Sequence, residues 1–268
     1  MMRSGLFARG IGAMALSLAG VVGVALYATT AAADTLDDVR KAGVIRIAVP
    51  QDYAPFGSMG SDMTLQGYDV EVAKRTAAAM HVRLEIVPVT MANKIPYLVS
   101  NKVDLALNLG KNPERAKVID FTEPYAPYYT AVFGPKATAM SDLGALAGQK
   151  IGVVSSSQED LYVTQHAPAS AQVVRYQDNS AAVAAFLSGQ VAFLATGNIV
   201  GAKLLADNPQ RGFAQKVLLM NSPVCAAVRK GDGAMRDAVN QVLSAERASG
   251  ALNTLSLQWL KQPLDAKP

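Results

Sequence analysis

Residues 44–56 read VIRIAVPQDYAPF, an apolar, β-branched run that stops at Pro50 and turns away at Pro55. Val44–Val49 has the length and composition of a buried strand, and a proline at 55 cannot donate to a sheet, so the chain must leave the strand there. Working outward, the same alternation repeats: a helical pattern over Tyr68–Met80, a strand over Val82–Val87, a helix over Asn93–Ser100 and a strand over Val103–Leu107. Strands alternating with helices in this way predict βαβ units and a mostly parallel sheet. In the first helix Val70, Ala73, Ala77 and Met80 recur on one face, which is therefore the buried one.

A second set begins near Gly148. Strands are expected at Lys150–Val154, Gln172–Arg175 and Val191–Leu194, with helices at Ser157–His166, Ser180–Ser188 and Asn198–Ala206. Between the two sets, Tyr129–Phe133 reads as a strand running into the breaker Gly134-Pro135. After the second set come a strand, Val224–Val228, and a long helix, Asp232–Ala248, striped by Met235, Val239 and Val242, with Asp232 as its N-cap. The simplest packing returns this tail to the first set. The chain then divides into 34–132, 133–224 and 225–268, crossing twice between two α/β lobes, near Phe133 and near Cys225, and two crossings make a hinge.

Composition narrows the function. The chain has 268 residues, 50% of them hydrophobic, with 25 basic and 21 acidic side chains and no block of like charge. It is long enough for a large core and is not patterned as a nucleic-acid binder. Residues 1–33 carry Arg3 and Arg9 and no acid, then the uncharged run Ile11–Tyr27, then Ala31-Ala32-Ala33. That is the three-part pattern of an export signal cut after Ala33, and it accounts for part of the net charge of +4. The apolar run exceeds a typical signal core, so an uncleaved anchor is the competing reading. Cys225, the single cysteine, cannot close an intramolecular disulfide, and His81 and His166 stand too far apart for a metal-ligand spacing. Neither a metal nor an organic cofactor is expected, and Cys225 is expected to be a buried strand residue.

The segments VIRIAVPQDYAPF, GYDVEVAK (67–74), NKIPYLVSNKVDLAL (93–107), NPERAKVIDFTEPY (112–125), GQKIGVVSSSQED (148–160) and LNTLSLQWL (252–260) resemble, in order and spacing, the periplasmic solute-binding proteins of polar amino acid ABC importers, family 3. The resemblance implies two lobes joined by two strands and closing on a small carboxylate-bearing solute. It implies a periplasmic monomer that hands the solute to an inner-membrane permease, without nucleic acid. It places an aromatic at Tyr53 against the solute, with Phe56 beside it, and Arg115 on the solute's carboxylate, a role its planar fork suits. The same carboxylate would reach the turn at Ser156 and Ser157. There the patterns Ser156 with Glu159 and Ser157 with Asp160 open a helix whose free amides favour an anion.

The sequence also departs from that family. The lobe-two Asp that holds a ligand ammonium aligns with Gly197, the family's hydroxyl residue before the arginine is Gly110, and the aromatic before NKIP is Met91. Either another acceptor replaces the Asp, with Asn93, Asn108 and Asn198 as neutral candidates and Asp52 as a charged one, although short polar residues equally well cap turns, or the ligand is not a simple α-amino acid. Two other functions stay open. A cyclohexadienyl dehydratase-like enzyme would need an acid in the cleft, for which Glu123 in TEPY is the candidate. A ligand-presenting sensor module would need a signalling partner.

Overall fold

In the computed structural model, which describes residues 35–265, Val44–Pro50 is a strand in which Ile45, Ile47, Ala48 and Val49 are all fully buried. A continuous apolar run suits such a strand, covered on both faces. The expected export signal, with its cut after Ala33, lies outside the described residues.

The first lobe runs α1 (Thr35–Ala42), β1 (Val44–Pro50), a small antiparallel sheet of β2 (Asp52–Tyr53), β3 (Gly57–Met59) and β4 (Leu65–Gln66), then α2 (Tyr68–Ala79), β5 (Arg83–Val89), α3 (Lys94–Val99), β6 (Leu105–Gly110), α4 (Pro113–Ala116) and β7 (Ile119–Ala126). The second holds β8 (Tyr129–Pro135), β9 (Lys150–Val154), α5 (Gln158–His166), β10 (Gln172–Tyr176), α6 (Asn179–Leu187), β11 (Phe193–Gly197), α7 (Asn198–Asp207) and β12 (Phe213–Asn221). The chain then returns through β13 (Val224–Arg229), α8 (Gly233–Ala248) and α9 (Ala251–Leu255). Asp232 caps α8 as expected, accepting from the Met235 amide at 3.2 Å.

The first sheet has the order β5-β1-β6-β13-β7 and the second β10-β9-β11-β8-β12. In each, the three leading strands pair in parallel. The reversed strand is β13 in the first sheet and β8 in the second, antiparallel to both its neighbours. These two are the strands by which the chain arrives from the other lobe. The sheets are thus parallel apart from the hinge strands, and helices cover them.

The crossing points differ from the sequence reading. Tyr129–Pro135 belongs wholly to the second sheet, paired with β12 from Tyr129↔Asn221 to Phe213↔Pro135. The outward passage is therefore at Pro127–Tyr128 rather than near Phe133, because a partner strand the sequence did not advertise holds the whole apolar run. The return lies at Ser222–Pro223, and Val224 already pairs with Gly110 and Ala126 of the first sheet. Cys225 follows in β13, buried, its thiol pushed up to about 11 by burial. No helix among the described residues is long and apolar enough to cross a membrane.

Candidate functional site

The carboxyl ends of β6 and β9 face each other across the passage, the position where open α/β sheets take ligands. Between them lies a cavity of ≈ 270 Å³ whose wall includes Lys94, Asn108, Gly110, Arg115, Tyr128, Ser156, Gln158 and Glu159, with Met91, Ile95 and Val224 as apolar lining. Four of the residues singled out from sequence meet here: Asn108, Gly110, Arg115 and Ser156.

Arg115 is placed by α4. Pro113 sits in the first turn, and the Asn112 side chain caps the helix by accepting from the Arg115 amide at 2.8 Å. The neighbouring acids are paired elsewhere, Glu114 with Lys117 and Asp120 with Lys230. The Arg115 guanidinium instead donates through Nη1 to the carbonyl of Gly110 at 3.2 Å and through Nη2 to the carbonyl of Ser156 at 3.0 Å. It therefore touches both lobes. Five N–H donors on a guanidinium leave others for an anion in the cavity. Burial lowers its pKa while the fields of Glu159 and Tyr128 raise it.

The serine turn is built differently from the expected cradle. Ser157 caps α5, its Oγ accepting from the Asp160 amide at 3.1 Å, and Asp160 returns the bond by accepting from the Ser156 amide at 3.0 Å. The Ser157 amide donates to the Val154 carbonyl. Ser157 is buried and off the cavity wall, and Ser156, at φ 63°, offers its carbonyl to Arg115 rather than its amide to a solute. By helix geometry the amides of Gln158 and Glu159, one residue on, have no intrahelical partner.

Tyr53 and Phe56 also fall elsewhere. Both are buried in the first-lobe core, stacked at 5.8 Å, and neither lines the cavity. The aromatic on the wall is Tyr128, from the interlobe passage, and the Tyr53 hydroxyl bonds to the Tyr128 hydroxyl from behind. Asn93 is exposed ahead of α3 and off the wall. Asn198 accepts from the Tyr129 amide at 3.1 Å and lines a separate groove. Asp52 is bound to the α6 amide of Asn179. Glu123 is exposed and away from the cavity, its amide held by Asn240.

Lys94, Tyr128, Gln158 and Glu159 were not singled out from the sequence. Lys94 is buried, and its Nζ donates to the Asn108 carbonyl at 2.6 Å. The Asn108 side chain in turn donates to Asp69 at 3.0 Å, and Tyr125 donates to the other Asp69 oxygen at 2.7 Å. Burial pushes the Asp69 carboxyl up and the Lys94 ammonium down. Tyr128 donates to Glu159 Oε1 at 2.9 Å. One sequence signal for Glu159 existed: it matched a capping pattern whose work Asp160 does.

Two glycines let the lobes approach. A Cβ on Gly110 would strike the Gln158 side chain and the Ser222 hydroxyl, themselves bonded at 2.9 Å. A Cβ on Gly197 would strike the Tyr128 ring and hydroxyl. The side chain missing at 197 is thus the space Tyr128 fills.

Residues 45–262 match the profile of the bacterial extracellular solute-binding proteins, family 3. A curated relative is ABC transporter arginine-binding protein 1 of Escherichia coli, 26% identical over 223 residues, 81% of this chain and 91% of that protein. Among solved structures, the cysteine-binding protein from Campylobacter jejuni superposes with a TM-score of 0.79 at 28% identity, covering 87% of this chain and 96% of its own. The ancestral amino acid-binding protein AncCDT-1, a precursor of cyclohexadienyl dehydratase, gives 0.75 at 27% identity, covering 85% and 100%.

Proposed function

The chain belongs to the family 3 bacterial extracellular solute-binding proteins, and from that membership we propose that it is a periplasmic receptor that closes on a small carboxylate-bearing solute, an amino acid or a close derivative, and presents it to an ABC importer. The observation that carries this reading is Arg115 at the cavity wall, bonded to the Gly110 carbonyl of one lobe and the Ser156 carbonyl of the other. A carboxylate taken up beside it meets a guanidinium and the open amides of α5 together only when the lobes are closed. Occupancy then shifts the population toward the closed form, which a permease can recognise.

The relatives named above are binding proteins for arginine, cysteine or amino acids, which supports the amino acid class. The receptor acts as a monomer, without metal or cofactor, after removal of its leader at Ala33. We take it as a binding protein rather than an enzyme from its family and the relatives named above; Glu123, the acid named for the dehydratase reading, is exposed and outside the cavity, and among the described residues the acid on the wall is Glu159.

Small-angle scattering of the chain lacking residues 1–33, with and without each of the twenty amino acids, tests the proposal. Compaction is expected with one or a few of them, and is lost in Arg115→Ala. No compaction with any of them overturns it.

A further inference from the structure

A groove separate from the interlobe cavity runs between α7 of the second lobe and the C-terminal segment that follows α9 in the first, with Pro55 and Tyr129 also on its wall. Its volume is ≈ 550 Å³, against ≈ 270 Å³ for the interlobe cavity. That is within the range of small-molecule sites, which are mostly apolar with a few polar groups that fix orientation. The α7 side is low and apolar, because Ala202 and Ala206 stand one turn apart on the same face, with Ile199 one turn earlier. Trp259 and Leu260 form the opposite side.

Most polar groups on the wall are already engaged. The Tyr129 hydroxyl bonds to Gln215, Asn198 accepts from the Tyr129 amide, Lys203 pairs with Asp207 at 2.7 Å, and Lys261 donates to the Gln258 carbonyl at 2.8 Å. Two groups are not. Trp259 Nε1 and Gln262 Nε2 are both buried without a hydrogen-bond partner among the described residues. An indole N–H can only donate, and a buried donor left without an acceptor is costly. The charges on the wall are two ammoniums, of Lys203 and Lys261, against the one carboxylate of Asp207. An apolar body carrying an anionic acceptor complements this set; an ammonium of the same shape brings no acceptor and leaves both donors unmet.

We propose that this groove is a second binding site, independent of the interlobe cavity, for an apolar monocarboxylate of the medium-chain or aryl type. Its hydrocarbon lies on the Ala202 and Ala206 face of α7, and its carboxylate accepts from Trp259 Nε1 and Gln262 Nε2. The groove takes one wall from each lobe, so its occupant touches both.

The chain provides its own probe, since Trp259 is the only tryptophan in the sequence. The test is titration of the protein with octanoate and phenylacetate, and with octylamine and phenethylamine as their cationic counterparts, read by Trp259 fluorescence and by calorimetry. Both carboxylates are expected to bind saturably, with Kd below about 1 mM, and to be preferred over the amines by tenfold or more. By calorimetry, Trp259→Phe, which keeps an aromatic ring and deletes the donor, should weaken the carboxylates at least fivefold. Ala202→Phe, which fills the groove, should abolish their binding, and Arg115→Gln should leave it within twofold. No saturable binding of either carboxylate overturns the proposal. So do amines that bind as tightly as the acids, or binding that survives Ala202→Phe. Binding lost in Arg115→Gln places the probe in the interlobe cavity and overturns it too, with the receptor reading left standing. Should Trp259→Phe not fold, Ala202→Phe decides, since Ala202 is exposed on α7.

Discussion

The backbone amide of Asn179, the first residue of α6, donates to the carboxylate of Asp52 at 3.1 Å, joining positions 127 apart in sequence and on opposite lobes. The remaining oxygens of the two side chains, Asp52 Oδ1 and Asn179 Oδ1, are both buried without a hydrogen-bond partner. Burial raises the Asp52 pKa, the Asn179 amide lowers it and the field of Asp178 raises it further, for a net rise. An acid whose folded pKa is raised stabilises the fold fully below the ordinary carboxylate value and loses that contribution as pH climbs through the raised value. Asp52→Asn mimics the protonated form at every pH. Its thermal midpoint relative to wild type should therefore be near zero below pH 4 and grow more positive toward neutrality. A difference that is flat with pH, or that shrinks as pH rises, would contradict this account.

The Lys94–Asn108–Asp69 unit predicts a non-additive pair. Removing one partner of a buried charge pair strands the other and costs about 3–5 kcal/mol. Lys94→Met and Asp69→Leu are each expected to fall in that range by urea unfolding. The double variant should cost less than the sum of the two, since it leaves no buried charge unmatched. Additive losses would mean the two groups do not balance one another, and the charge accounting of the cavity would change.

Gly197 and Tyr128 are coupled by sterics. In Gly197→Ala the added methyl meets the Tyr128 ring and hydroxyl. Overpacking of this kind costs about 1–3 kcal/mol. In a Tyr128→Ala background the same glycine substitution should cost little, because the obstructing ring is gone. Equal costs in both backgrounds, measured by denaturant unfolding, would separate the two residues.

The strands that sequence reading located and those it missed differ in their composition. The central strands β1, β6, β9 and β11 are covered on both faces and appear as continuous apolar runs. In the two main sheets the missed strands, β7 and β12, lie at edges, as do the located β5 and β10, so position alone does not explain the miss. β7 carries Asp120, Glu123 and Pro124, a proline that only an edge tolerates, and β12 buries Leu219 alone. Missing β12 is also what misplaced the first crossing. At the site, Arg115, Gly110 and Ser156 were named through the family resemblance, and all three line the cavity. Tyr53 and Phe56 were assigned to the solute because a sequence does not tell which of several aromatics reaches a cavity, and Tyr128 enters it from the other side of the hinge. Lys94 and Glu159 escaped notice because a charge is buried only through partners distant in the chain, Asp69 for one and Tyr128 for the other.

The guanidinium of Arg115 offers a last prediction, on geometry rather than charge. Arg115→Lys keeps the positive charge but replaces a planar fork by a single ammonium, which cannot hold the Gly110 and Ser156 carbonyls and present paired donors to a carboxylate. Each hydrogen bond to a charged group contributes about 1.5–3 kcal/mol. Loss of one such bond should weaken the amino acid that compacts the wild type by about tenfold to a hundredfold. Stability without solute should change less than affinity, because the lysine ammonium can still donate to one of the two carbonyls. Titration calorimetry and urea unfolding of the same variant read the two quantities separately. Affinity retained within threefold would mean that the carboxylate is held by the α5 amides and that Arg115 acts as a strut between the lobes.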